Sequence, residues 1–325
     1  MKVMKQTPER RGRSLRSLYY DLKPIIPRPL QISLRRLLVR SKLNACSDIW
    51  PIHERAGQAP EGWKGWPEGK QFALVLTHDV DSLRGQERCL DLMNLEKGLG
   101  LRSAFYFVPG ICQDCSTIFS ELKKNQFEIG VHGLFHDDRL FRSRTIFQRR
   151  AAIINRFISQ WQALGFRSPA MHHNLSWIHD LNILYDASTF DVDPFEPQPD
   201  GLDTIFPCVI NDDSSGRKYV ELPYTLPQDF TIFILLRQKN IEIWKRKLDW
   251  IAENGGMALL LTHPDYMNIE RTRLAVDEYP AEFYLNLLSY IKNEYGSRCW
   301  PALPREIARF WPSQMNNRHG EPSEI

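Results

Sequence analysis

Phe72-Ala-Leu-Val-Leu-Thr-His-Asp-Val-Asp81 decides the fold. Its apolar run, Phe72 to Leu76, reads as a strand buried on both faces, the signature of a parallel sheet covered by helices. The polar end, Thr77 to Asp81, then falls at the C-terminal edge of that strand, where barrels of this class keep their reactive groups. Asp79 and Asp81 flank Val80. The period-two geometry of a strand turns both carboxylates to one side and Val80 to the other.

Outward from this strand the chain alternates. A helix is expected from about Arg84 to Lys97, ended by Gly98 and Gly100, and Ala104–Val108 reads as a second strand closed by Pro109-Gly110. A short helix near Thr117–Lys124 leads to a third strand, Phe127–Val131. Phe147, Ala151, Ile154, Ile158 and Trp161 lie on one face of a 3.6-period helix, which predicts a helix from Arg144 to Leu164 stopped by Gly165. Phe166-Arg167 begins another strand. Ile241, Trp244, Leu248 and Ile251 repeat the helical spacing ahead of Gly255-Gly256 and a buried strand, Met257–Leu261. Residues 186–230 carry many Pro and Asp and read as long functional loops with short strands at Thr204–Phe206 and Tyr219–Leu222. Alternation of this kind implies an α/β fold with a parallel sheet. About six or seven strand–helix units fit a closed or nearly closed barrel better than two open sheets.

Composition is that of an ordinary globular protein, 42% apolar and 25% charged over 325 residues. No stretch is apolar for long enough to cross a membrane as a helix. The first forty residues lack the apolar core of a secretory signal, so a cytoplasmic protein is expected. The net charge of +3 hides an asymmetry: residues 1–42 hold twelve Lys/Arg against Glu9 and Asp21, a net of +10, so the remainder nets −7. A basic leader on an acidic body favours anionic lipid head groups or phosphorylated glycan precursors. Leu30, Ile32, Leu34, Leu37, Leu38 and Leu43 interleave with Arg35, Arg36 and Arg40, a pattern compatible with an amphipathic helix and with peripheral membrane contact through residues 1–45. The plainer alternative is a solvated tail that packs its few apolar residues on the body. Nucleic acid is not an expected partner, because the leader lacks interleaved aromatic groups and the body is acidic. The six cysteines are too scattered for a disulfide scaffold, and Cys112-Gln-Asp-Cys115 lacks the second pair of a zinc knuckle. The organisation expected is a basic leader and Pro/Gly/Trp-rich lead-in over 1–69, a catalytic barrel over 70–312 and a polar tail over 313–325.

Three further segments lie at or just past strand-like runs: His132-Gly-Leu-Phe-His136, Arg167-Ser-Pro169 and Leu261-Thr-His-Pro-Asp265. If the residues between His132 and His136 form one turn, both imidazoles face one point, as chelation requires. Asp79 and Asp81 add two carboxylates, one to ligate and one to accept a proton from water. Two histidines, one aspartate and open water positions make a hydrolytic rather than a closed structural site. Arg167 is placed to pair with a buried carboxylate and keep it ionised. His263 follows an apolar strand, a fitting place for a general acid towards a leaving amine. Pro264-Asp265 is placed to shape that loop.

The ordered set Thr-x-Asp, His-x-x-x-His, Arg-x-Pro, Leu-x-His resembles the polysaccharide deacetylases with the NodB homology domain, metal-dependent carbohydrate esterases, over about residues 70–300. The resemblance implies a distorted (β/α) barrel with fewer than eight parallel strands. It implies a divalent metal, usually zinc, held by an aspartate and two histidines, and an acetylated glycan or lipid-linked sugar as substrate. Carried over, His132 and His136 are ligands, Asp79 is the base, Arg167 orients that base, and His263 is the acid. A backbone amide just after Arg167-Ser168-Pro169 helps hold the oxyanion. The family places two adjacent aspartates after the threonine, the second being the ligand; here Val80 stands in that place, and Asp81 is expected to take over. Ala170 stands where the family commonly has an aromatic, leaving Trp177 or another group to wall the sugar site. A further aspartate tunes the acidic histidine; Asp191 and Asp193 are the candidates, with Asp193 preferred. The implied activity is N-deacetylation of an acetylated sugar, with O-deacetylation a close variant. A catalytically silent glycan binder that keeps the barrel is the alternative.

Overall fold

The computed structural model describes residues 27–112 and 114–315; most of the basic leader and residues 316–325 of the tail lie outside it. Strand β1 (Phe72–Val80) is buried along its whole length. It runs four residues beyond the apolar run that announced it, because Thr77 and Asp79 face a polar barrel interior instead of solvent.

Strands β2 (Ala104–Phe107), β3 (Glu128–His132), β4 (Gly165–Arg167) and β5 (Tyr185–Asp186) follow β1 in order, each parallel to its neighbour. Strand β6 (Cys208–Asp212) pairs antiparallel with β7 (Arg217–Glu221), and β7 lies parallel to β5. Strand β8 (Met257–Thr262) returns to pair with β1. Chain just past β7 touches β8 through the bridge Leu226–Leu260, which joins the two ends of the sheet. β6 and the short β9 (Cys299–Pro301), which pairs with the start of β1, lie outside this ring. Among the described residues the result is a distorted barrel of seven mutually parallel strands. The short strand expected at Thr204–Phe206 is absent, and that segment is irregular; the pairing partner of β7 starts at Cys208 instead.

The helix over 144–164 is in fact Arg144–Trp161. Gln162 ends it in a left-handed conformation, φ 57°, and Gly165 belongs to β4. A Cβ at Gly165 would lie 2.0 Å from the Tyr185 ring, so the glycine serves strand packing, not helix termination.

Helix α1 (Arg28–Leu43) departs from a leader set apart from the barrel. Ile32 and Val39 are buried in the same apolar core as β1, and so are Trp50 and Trp66 of the lead-in. Ile32 and Val39 thus pack the described part of the leader on the body. Leu30, Leu34, Leu37 and Leu38 stay exposed on the other side of the helix, the last two at 65% and 63%.

Behind β1, a polar network ties the sheet to its helices. His78 Nδ1 lies 2.8 Å from Thr262 Oγ1, and its Nε2 lies 2.8 Å from Glu96 Oε1 on α2 (Leu83–Gly98). Ser103 and Tyr284 also donate to Glu96. Buried polar groups of this kind are stable only when every member finds a partner.

Candidate metal centre and its pocket

The four sequence segments converge at the C-terminal mouth of the barrel. Asp81 Oδ1 lies 3.3 Å from His132 Nε2, and Asp81 Oδ2 lies 3.3 Å from His136 Nε2. One ligand atom from each of the three residues falls within 4.8 Å of the others. His132 closes β3, and the chain after it bends rather than coils. Gly133 makes that bend at φ +64°, where a Cβ would press on Pro169 at 2.7 Å. His136 is thereby brought back beside His132, ring centroids 5.6 Å apart.

The donor set fits a divalent cation. His132 Nδ1 is 3.1 Å from the Arg167 carbonyl, which fixes the tautomer that leaves the Nε2 lone pair pointing at the site. Asp81 Oδ1 is buried and receives no hydrogen bond of good geometry. An unfilled carboxylate oxygen facing two imidazoles is the arrangement of an open site rather than a satisfied core pair. Burial opposes ionisation of Asp81, but His136, His132 and His263 together hold its pKa well below the ordinary carboxylate value.

Asp79 sits beside this triad, its Oδ2 3.6 Å from His132 Nε2. Val80 points the other way and is fully buried. Period-two geometry thus explains how Asp-Val-Asp presents two carboxylates to one cavity. Arg167 donates to Asp79 Oδ1 and to Thr77 Oγ1, each at 3.0 Å, and to the Ala187 carbonyl at 2.8 Å. It is fully buried with its guanidinium 4.4 Å over the Tyr106 ring. Burial works against its charge, yet Asp79 and Tyr106 raise its pKa, so the cation persists.

His263 lies just past β8 and is almost fully buried. Its partner is Asp229: Oδ1 is 2.7 Å from His263 Nδ1, and Oδ2 accepts from the His263 amide at 2.8 Å. Asp193, expected in that role, instead accepts from Tyr224 at 2.8 Å and from the Phe195 amide, and Asp191 is held by Lys247. The correction has a topological reason. Asp229 begins the buried π-helical turn Phe230–Leu235 directly after the bridge at Leu226, the point where the chain crosses beside β8. Burial lowers the His263 pKa, but Asp229, then Asp81 and Asp79, raise it to about 10.

Asp265 reaches across to the end of β1. Its carboxylate accepts from the Asp81 amide at 3.0 Å and from the Ser82 hydroxyl. It thereby fixes the backbone of one candidate ligand. Burial and Asp81 raise its own pKa to about 6.

The cavity over these groups is lined by Ala170, Met171, Phe195, Phe230 and Tyr266, and by Arg28 and Arg35 of α1. Trp177 does not wall it; that ring packs on Phe141, Phe147 and Arg144. Phe195, Phe230 and Tyr266 supply the apolar wall in its place. Cys112 and Cys115 form a disulfide away from this lining.

No family model and no curated protein matches the chain by sequence. Solved structures do share its fold. A putative polysaccharide deacetylase from Mycobacterium smegmatis superposes with TM-score 0.56 at 18% identity, covering 82% of this chain and 99% of that one. Puue allantoinase gives TM-score 0.63 at 15% identity, covering 83% and 99%. A probable polysaccharide deacetylase from Pseudomonas aeruginosa gives 0.59 at 15% identity, covering 78% and 95%. The barrel is therefore the NodB-like fold that the sequence resemblance implied.

Proposed function

We propose that the chain is a metal-dependent hydrolase that removes acetyl groups from an N-acetylated sugar of a polysaccharide or its precursor. The observation that carries this reading is the convergence of Asp81, His132 and His136 beside a second carboxylate, Asp79, and an acid-competent histidine, His263. A divalent ion held by the triad, zinc being well suited to two imidazoles and one carboxylate, would polarise the acyl carbonyl and acidify a water.

The protein's own groups divide the remaining work. Asp79, paired with Arg167, takes the proton from the attacking water. His263, kept protonated by Asp229, delivers a proton to the departing amine nitrogen. Ala170 and Met171 line the cavity in left-handed conformations, φ 54° and 52°. The Met171 amide is engaged by the Ser168 carbonyl, so the Ala170 amide is the donor offered to the developing oxyanion. An ester would be cleaved by the same groups. A silent glycan binder would have no use for a protonated histidine poised opposite a carboxylate base.

We infer that the reaction takes place at a membrane surface, on a lipid-linked or surface-held glycan. The support is the exposed stripe Leu30, Leu34, Leu37 and Leu38 on α1, within a segment of net charge +10, which together suit an anionic bilayer. No described helix is long and apolar enough to cross a membrane.

Acetate release from N-acetylated and O-acetylated sugars, with and without chelator, tests the activity. Release that chelator abolishes and added zinc restores is the expected result. No acetate from any glycan in either condition contradicts it.

A further inference from the structure

Arg28 and Arg35 are seven residues apart on α1, two turns of one helix face, and both reach the cavity above the candidate metal centre. They serve different purposes. Arg28 is committed: it lies 3.4 Å from Asp277 Oδ2 and donates to the Tyr266 hydroxyl at 3.2 Å. Arg35 makes no ion pair among the described residues; its guanidinium is stacked 4.7 Å over the Phe230 ring. A half-buried guanidinium over an aromatic wall of the cavity carries the planar fork of donors that matches a carboxylate or a phosphate.

The acidic group nearest in role does not neutralise it. Glu196 lines the same cavity but accepts from Tyr224 and Gln228. Burial, and then Asp193, raise its pKa to about 8. Its hydrogen bonds go to Tyr224 and Gln228, and it forms no ion pair with Arg35, whose guanidinium has no carboxylate partner among the described residues. Natural sites seldom hold an unpaired cation against a cavity wall without a ligand that uses it.

We propose that the substrate carries an oxyanion, phosphate or carboxylate, on the acylated sugar or next to it, and that Arg35, flanked by Arg28, is its specificity determinant. The inference rests on the reading of this cavity as the acyl-sugar site. It adds what a neutral polymer would not need: a fixed positive charge at the rim, supplied by the helix that also bears the exposed leucines.

The test is calorimetric binding of three probes to the zinc-loaded protein: N-acetylglucosamine, N-acetylglucosamine 1-phosphate and N-acetylmuramic acid. Roughly tenfold or more tighter binding of either anionic probe is expected, with the preferred one identifying the oxyanion. Arg35→Gln, checked for unchanged thermal unfolding, should abolish the preference, and Arg35→Lys should restore only part of it. Equal binding of all three probes would overturn the proposal. So would a preference that survives in Arg35→Gln, since that would place the anion on the metal instead. Acetate release is read separately: an Arg35-dependent anion preference without any acetate release supports this inference while contradicting the proposed hydrolysis.

Discussion

Asp229 grips His263 twice, through the ring Nδ1 at 2.7 Å and the main-chain amide at 2.8 Å. One carboxylate thus fixes both the position and the protonation of the candidate acid. Burial alone would lower the His263 pKa; Asp229, helped by Asp81 and Asp79, raises it to about 10. The protonated form is therefore the working form at neutral pH and is lost as pH climbs through that value. By the same linkage, its contribution to stability is complete below the ordinary histidine pKa and disappears as pH rises towards 10. Asp229→Asn should lower kcat by about 10²–10⁴-fold, the usual worth of a placed general acid. It should also move the alkaline limb of the kcat–pH profile to lower pH. An unmoved limb would mean that another group is the acid.

Arg167 and Asp79 are a buried ion pair at 3.0 Å. Removing only the cation leaves a carboxylate inside the barrel without its charge partner. Arg167→Met should destabilise the fold by about 3–5 kcal/mol in denaturant unfolding. Combining it with Asp79→Asn should recover part of that loss while leaving the protein inactive. A double variant no more stable than the single one would show that the guanidinium matters for its contacts with Thr77, Ala187 and Tyr106 instead.

Asp265 and Gly85 act as a unit on Asp81. A Cβ at Gly85 would lie 2.2 Å from Asp265 Oδ2, so Gly85→Ala must displace the carboxylate that holds the Asp81 amide. Both Gly85→Ala and Asp265→Ala should weaken zinc affinity by about 10–100-fold, as loss of a group that orients a ligand typically does. Competition with a chromophoric chelator measures this. Unchanged affinity in both would show that Asp81 needs no support from β8's loop.

The leucine stripe on α1 makes a separate prediction. Serine at Leu34, Leu37 and Leu38 should reduce sedimentation with phosphatidylglycerol vesicles, without change in thermal unfolding, because these side chains are exposed. Binding should also fall with rising salt. Vesicle binding equal to that of the unaltered chain would remove the membrane from the account. A shift from dimer to monomer in the variant would instead identify the stripe as a contact between copies.

The barrel was legible because its strands are buried on both faces and so appear as unbroken apolar runs. The site was legible because His132, His136, Asp79 and Asp81 stand at the ends of such runs. Asp229 was not, since its partnership with His263 spans thirty-four residues and depends on the crossing beside Leu226, which leaves no local periodicity. A signal existed nonetheless: an aspartate opening a six-residue segment apolar but for Thr231 must find a partner when buried. Arg28 and Arg35 were masked by being counted with the leader's charge. Their spacing relative to the buried Ile32 and Val39 places them on the packed side of α1, a distinction that helical phase carries and net charge does not.

The proposed hydrolysis requires that Asp81, His132 and His136 share one cation. Zinc titration of chelator-treated protein, followed by equilibrium dialysis and elemental analysis, measures it directly. One tightly bound zinc per chain is predicted, lost in Asp81→Ala and in His132→Ala but retained in Val80→Ala. A chain that binds no stoichiometric metal, or an Asp81→Ala variant that binds it as tightly as the unaltered protein, would contradict the central claim.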